Sequence, residues 1–107
     1  MKRFGQVIGV SSEHLEEYKR NHAAVWPEIL AKITECNIRN YSIFYNDGLL
    51  FAYFEYYGSD FDSDMQKMAD DPKTQEWWAL IKPMHKPLAT RAPGEWWSTM
   101  EEVFHLD

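Results

Sequence analysis

The sequence predicts an α+β fold of order β-α-β-β-α-β, an antiparallel sheet with helices on one face. Three observations predict it. Residues 3–10, RFGQVIGV, place Phe4, Ile8 and Val10 on one side, as a half-covered strand does. Leu15, Tyr18, His22, Val25 and Ile29 then recur at intervals of three and four, the repeat of one helix face. Two further apolar runs within residues 38–58 meet at Asn46-Asp47-Gly48, a hairpin turn signal.

Each element has its own local reason. Ser11 or Ser12 can cap the first helix, and Glu13, Glu16 and Glu17 suit the positive end of its dipole. Pro27 has no N–H to give the carbonyl of Ala23, so the helix kinks near Trp26 or restarts with Pro27 in its first turn. It ends around Glu35–Asn37. In the hairpin, Tyr41, Ile43 and Tyr45 share one face of the first strand. Leu50, Ala52 and Phe54 share one face of the second, and Leu49, Phe51 and Tyr53 share the other. A sheet apolar on both faces needs a second cover. Residues 62–71 and 73–82 form two short helices around Pro72. Residues 83–95, PMHKPLATRAPGE, carry three prolines and a glycine and form an ordered loop; TMEEVFHL closes the chain as a final strand. The order is that of a ferredoxin-like split βαβ fold. Two copies stacked on their open sheet faces bury the remaining apolar surface, which predicts a homodimer, a dimeric α/β barrel.

The 107 residues make one domain, residues 1–107, long enough for a real core without staples. Aromatics are 16% of the chain, more than such a core needs, so the surplus lines a ligand cavity or an intersubunit contact. A net charge of −6, with no Lys/Arg run longer than two, argues against nucleic acid and anionic membrane as partners. Cys36 stands alone, the N-terminus MKRFGQVIGV lacks the features of a signal peptide, and no stretch is apolar for the length of a membrane span. A cytoplasmic location is expected.

The residues that can carry chemistry sit on the helix stripe. Tyr18 and His22, at i and i+4, have Cβ atoms about 5–6 Å apart and present a phenol and an imidazole to one small molecule. Histidine titrates near neutral pH and can give or take a proton. The bland alternative is a core histidine bonded to a backbone carbonyl. Tyr41 joins them only if it faces the helices, and alternation leaves its side open. Trp77 and Trp78 diverge by about 100° on their helix, so one packs inward while the other can be a flat wall for a sugar ring. Trp96 and Trp97 cover a pocket mouth or pack. No phosphate-cradling glycine loop occurs, and His14, His22, His85 and His105 lack ligand spacing, so neither metal nor cofactor is expected.

The run EYKRNHAAVWPE, then NYSI, the Trp77-Trp78 pair and the closing EEVFHLD resemble the L-rhamnose mutarotase family over nearly the whole chain. The resemblance implies a ferredoxin-like dimer that interconverts the α and β anomers of a 6-deoxy-L-sugar without a cofactor. It implies His22 as general acid and Tyr18, Tyr41, Trp77 and Trp78 as sugar-binding residues. Typical members carry an N-P-D-N-S-P-like loop before the last strand, whereas this chain carries KPLATRAPGEWW. The resemblance implies L-rhamnose as the substrate, and the departure in this loop makes L-fucose the alternative sugar. Two rivals of other classes are a non-catalytic sugar-binding module and a cofactor-free monooxygenase of the same architecture.

Overall fold

The structure, a computed structural model, covers residues 1–107. Strand β1 (Lys2–Val10) is followed by a single 3-10 turn, then helices α1 (Leu15–Ala23) and α2 (Pro27–Glu35). The hairpin β2 (Ile38–Asn46) and β3 (Leu49–Tyr56) comes next. Helices α3 (Phe61–Asp70) and α4 (Pro72–Ile81) lead through a second 3-10 turn to two short strands, β4 (His85–Lys86) and β5 (Ser98–Met100). None of the helices is long and apolar enough to cross a membrane.

The local chemistry acts as expected. Pro27 restarts the helix at its first position, and Trp26 is the residue before it. Asp60 caps α3 by accepting from the Ser63 N–H at 3.1 Å, and Asp71 caps α4 through Thr74 at 2.9 Å. The hairpin turns on Asp47 and Gly48, both at positive φ (50° and 82°), the two-residue turn whose twist matches that of the strands.

The strand order is β2-β3-β1-β4, with β5 also on β1. Ile8 lies opposite Leu50, Gln6 opposite Ala52 and Phe4 opposite Phe54, so one face of the sheet carries these residues together. The helices pack on that face. Ile8, Val10, Tyr18, Ile29, Leu50 and Trp77 belong to one buried cluster, and Ile38, Phe54 and Tyr56 form a second beside α3.

Two features depart from simple alternation. In β2, Arg39 opposes Glu55 and Ser42 opposes Tyr53, so Asn40 and Tyr41 together face Phe54. This is a β-bulge, with Asn40 at φ 52°, a conformation asparagine tolerates better than most residues. The extra residue lets Ile38 and Tyr41 both turn to the helix side, where the Tyr41 ring lies 5.5 Å from that of Phe54.

The second departure corrects the expected final strand over residues 99–106. The fourth strand position is split. β4 pairs with Gly9 and Val10, β5 pairs with Gly5–Val7, and an irregular loop carrying Pro87 and Pro93 lies between them. Beyond Met100 the ladder ends, although the same register would set Arg3 opposite Glu102. An Arg3–Glu102 ion pair at 3.4 Å marks that point. Val103, Phe104 and Leu106 are 80% or more exposed.

Gly9 sets how closely β4 approaches β1. A Cβ there would stand 2.6 Å from the Lys86 carbonyl oxygen, a backbone atom that cannot rotate away. Gly9→Ala is therefore expected to destabilise the fold by about 1–3 kcal/mol through overpacking. Denaturant unfolding reads this, and an unchanged midpoint would mean that β4 is free to move outward.

Candidate active site

One helical turn supplies the centre of the site. The Tyr18 and His22 rings stack with centroids 4.1 Å apart and planes within 20°. The His22 ring nitrogen Nδ1 lies 2.9 Å from the Tyr18 carbonyl, which can only accept. Nδ1 therefore carries the proton, and in the neutral ring Nε2 is bare. Nε2 has no hydrogen-bond partner within the protein. The edge of the ring meets Trp77 at 5.5 Å, and Trp26 packs on Trp77 at 5.1 Å.

His22 is half-buried and forms a wall between two hollows. A cavity of about 510 Å³ is lined by His22, Val25, Ile29, Tyr41, Ile43 and Trp77 among others. A recess of about 300 Å³ on its other side is lined by Tyr18, His22, Ile43, Tyr45 and Leu50 among others. His22 and Ile43 belong to both. These are dimensions suited to a small ligand held mainly by apolar walls with a few polar groups.

The sequence candidates thus divide. Tyr18, His22, Tyr41 and Trp77 gather here. Trp78 does not; it lines a separate outer cleft of about 470 Å³ with Gln75, Lys82 and Trp96. There the Lys82 ammonium sits 4.4 Å from the Trp78 ring centre and 5.4 Å from that of Trp96. Adjacent positions on α4 point the two indoles apart, and only Trp77 turns toward the imidazole.

Sequence reading passed over His85. Its Nε2 is 3.2 Å from the Tyr18 hydroxyl, and its Nδ1 is 3.0 Å from the Trp96 indole nitrogen. Tyr18 and His85 are 67 positions apart, so no spacing rule joins them. The one available signal was a histidine in a proline-rich loop that the Trp96-Trp97 pair follows.

Burial governs the ionisation of all four groups. It lowers the His22 pKa below its usual value, a shift opposed by the bond to the Tyr18 carbonyl. It lowers His85 to about 4, helped by the charges of His22 and Lys82. Tyr41 is pushed up to about 12, and Tyr18 is raised further by burial and the nearby Tyr41. At neutral pH the site holds two neutral imidazoles and two protonated phenols. A bare Nε2 can take a proton, and a phenol can give one.

Such a fold and site define a small α+β protein with a half-buried imidazole and two phenols beside hollows of small-molecule size. The sequence matches the L-rhamnose mutarotase family over residues 3–106, and the chain belongs to that family. A relative named L-rhamnose mutarotase from Oceanobacillus iheyensis is 33% identical over 100% of both chains. The crystal structure of an L-rhamnose mutarotase from Formosa agariphila superposes with a TM-score of 0.78 at 21% identity, covering 100% of each chain. A tetracenomycin F2 cyclase from Streptomyces glaucescens, a type-II polyketide cyclase, shares the fold at TM-score 0.73 and 16% identity, over 100% of this chain and 98% of its own. The fold therefore does not by itself select the chemistry.

The lowered histidine pKa values imply a pH effect on stability. The unfolded chain protonates His22 and His85 near pH 6.5, whereas the folded chain resists protonation at both. The unfolded state thus binds more protons below that pH, and stability falls as pH drops from about 6.5 toward 4. The groups facing His85 are Tyr18, His22 and Lys82. Unfolding midpoints across this range should decline in the wild type and decline less in His85→Gln; parallel curves would remove His85 as a cause.

Proposed function

We propose that the chain is an isomerase that interconverts the α and β anomers of L-rhamnose by acid/base ring opening, with His22 as its central proton-transfer group. The observation that carries this reading is the His22 tautomer: Nδ1–H is committed to the Tyr18 carbonyl, which leaves Nε2 bare on a ring that lines a hollow of sugar size. Family membership supports the activity, and relatives named for that activity leave the non-catalytic binding module without support.

Anomer exchange needs proton transfers alone. Nε2 of His22 takes the proton of the anomeric hydroxyl as the bond between C1 and the ring oxygen breaks. The bond's electron pair goes to the ring oxygen, which takes a proton from a phenol. The open aldehyde turns about its bond to C2 and the ring oxygen attacks the opposite face. On closing, the phenolate recovers its proton and the imidazolium returns its own to the anomeric oxygen. His22 is thus the base on opening and the acid on closing. The acid role that the family resemblance implies belongs to the second half. Tyr41 and Trp77 bound the same cavity as His22 and are suited to hold the ring, whereas Trp78 lies outside it.

His22→Asn should fold as the wild type does and slow anomer exchange by about 10²–10⁴-fold, the usual contribution of one positioned acid/base group. Saturation-difference NMR on L-rhamnose measures this, and an unchanged rate would take His22 out of the mechanism. The same measurement on L-fucose decides the preferred sugar, with faster exchange of L-rhamnose expected.

A homodimer is supported by the sheet face away from the helices. Leu49 and Phe51 lie on it half-buried, Phe44 opposes Phe51 at 65% exposure, and the exposed Val103, Phe104 and Leu106 extend from its edge. Soluble monomers rarely leave so much contiguous apolar surface open. Sedimentation should give twice the chain mass, and Phe44→Glu with Phe104→Asp should halve it; a monomeric wild type would exclude this assembly. The single, buried Cys36 is consistent with a reducing, cytoplasmic location.

A further inference from the structure

The reading above leaves open which phenol serves the ring oxygen. We propose that His85, held by Trp96, is a positioning residue that turns the Tyr18 hydroxyl into the proton donor of the reaction, leaving Tyr41 to bind sugar. This inference rests on the mutarotase reading of the site.

An indole N–H can only donate, so His85 Nδ1, 3.0 Å from the Trp96 nitrogen, must accept. A neutral imidazole that accepts at Nδ1 carries its proton on Nε2. That Nε2–H points at the Tyr18 hydroxyl, 3.2 Å away, and the phenol oxygen accepts it. The Tyr18 proton is then excluded from His85. No other protein group hydrogen-bonds to the Tyr18 hydroxyl, and Tyr18 lines the recess that shares His22 and Ile43 with the larger cavity, so its O–H is free to donate to a ligand that reaches across His22 into that recess. Protonating His85 would set Nδ1–H against the Trp96 N–H, two donors facing each other, which adds to burial in keeping the ring neutral.

The same arrangement favours the transferred state. When the Tyr18 proton leaves for the ring oxygen, a phenolate forms in a buried place. The Nε2–H of His85 is already aimed at it, and a hydrogen bond to an anion is stronger than one to a neutral hydroxyl. A donor in place before charge develops costs no reorganisation. Tyr41 has no such partner; burial alone raises its pKa, and its hydroxyl makes no hydrogen bond to a protein side chain.

Three measurements test the proposal. Long-range ¹H–¹⁵N NMR of histidine-labelled protein at neutral pH should show His85 protonated at Nε2 and bare at Nδ1, and Trp96→Phe should mix the tautomers. A wild-type ring protonated at Nδ1 overturns the proposal without any variant. In anomer exchange, His85→Leu should lower kcat by about 10–100-fold with little change in KM, the scale of one hydrogen bond to a charged group. His85→Gln, whose amide N–H can reach the same hydroxyl, should recover much of that loss. A Leu variant with wild-type kcat, or a Gln variant no better than Leu, overturns it. In a Tyr18→Phe background, His85→Leu should have no further effect on kcat, since its partner is gone. An additive second loss would assign His85 to structure alone. If Tyr18→Phe itself keeps the wild-type rate, the placement of Tyr18 on the substrate fails, an outcome separate from a failure of His85.

Discussion

The site depends on the Tyr18 carbonyl, one turn before the end of α1. It accepts from Nδ1 of His22 at 2.9 Å and so decides which nitrogen of the imidazole stays bare. The helix breaks soon afterwards. α1 stops at Ala23, and Pro27, which cannot donate to a preceding turn, opens α2 in a new direction. The break lets Ile29 enter the core and Trp26 reach Trp77, while His22 stays half-open between two hollows.

Around that turn the protein collects polar groups yet keeps them uncharged. Burial pushes both imidazoles toward neutrality and both phenols toward retaining their protons. A neutral sugar needs no ionic partner, and fixed charges would have to be desolvated at a cost of several kcal/mol each. What acid/base exchange does need is a matched acceptor and donor whose hydrogens are already oriented. Backbone carbonyl and indole N–H provide that orientation here, since each can take only one side of a hydrogen bond.

Two small residues far from one another in the chain place the remaining parts. Asn40 accepts the left-handed backbone that the bulge requires, and Tyr41 faces the helices as a result. Gly9 lets β4 lie close to β1, which brings His85 against Tyr18. The proline-rich loop then returns Trp96 to the back of that histidine.

The sequence by itself determined the order of the elements as far as α4, the hairpin turn, the restart at Pro27 and the shared face of Tyr18 and His22. Each follows from chemistry within a few residues: a missing N–H, a positive φ, a period of 3.6. It also carried the family likeness, because the E-Y-x-x-x-H-x-x-x-W-P-E element lies on that one stretch of helix. Tertiary structure alone decided which way Tyr41 turns, which tryptophan meets the imidazole, where the final strand stops and that His85 matters. Those outcomes depend on a two-against-one register in the hairpin, on the packing of α4, on how far β5 pairs along β1 and on a contact between residues 67 positions apart. Periodicity describes a face, but a hydrogen bond across the sheet edge exists only once the chain has closed on itself.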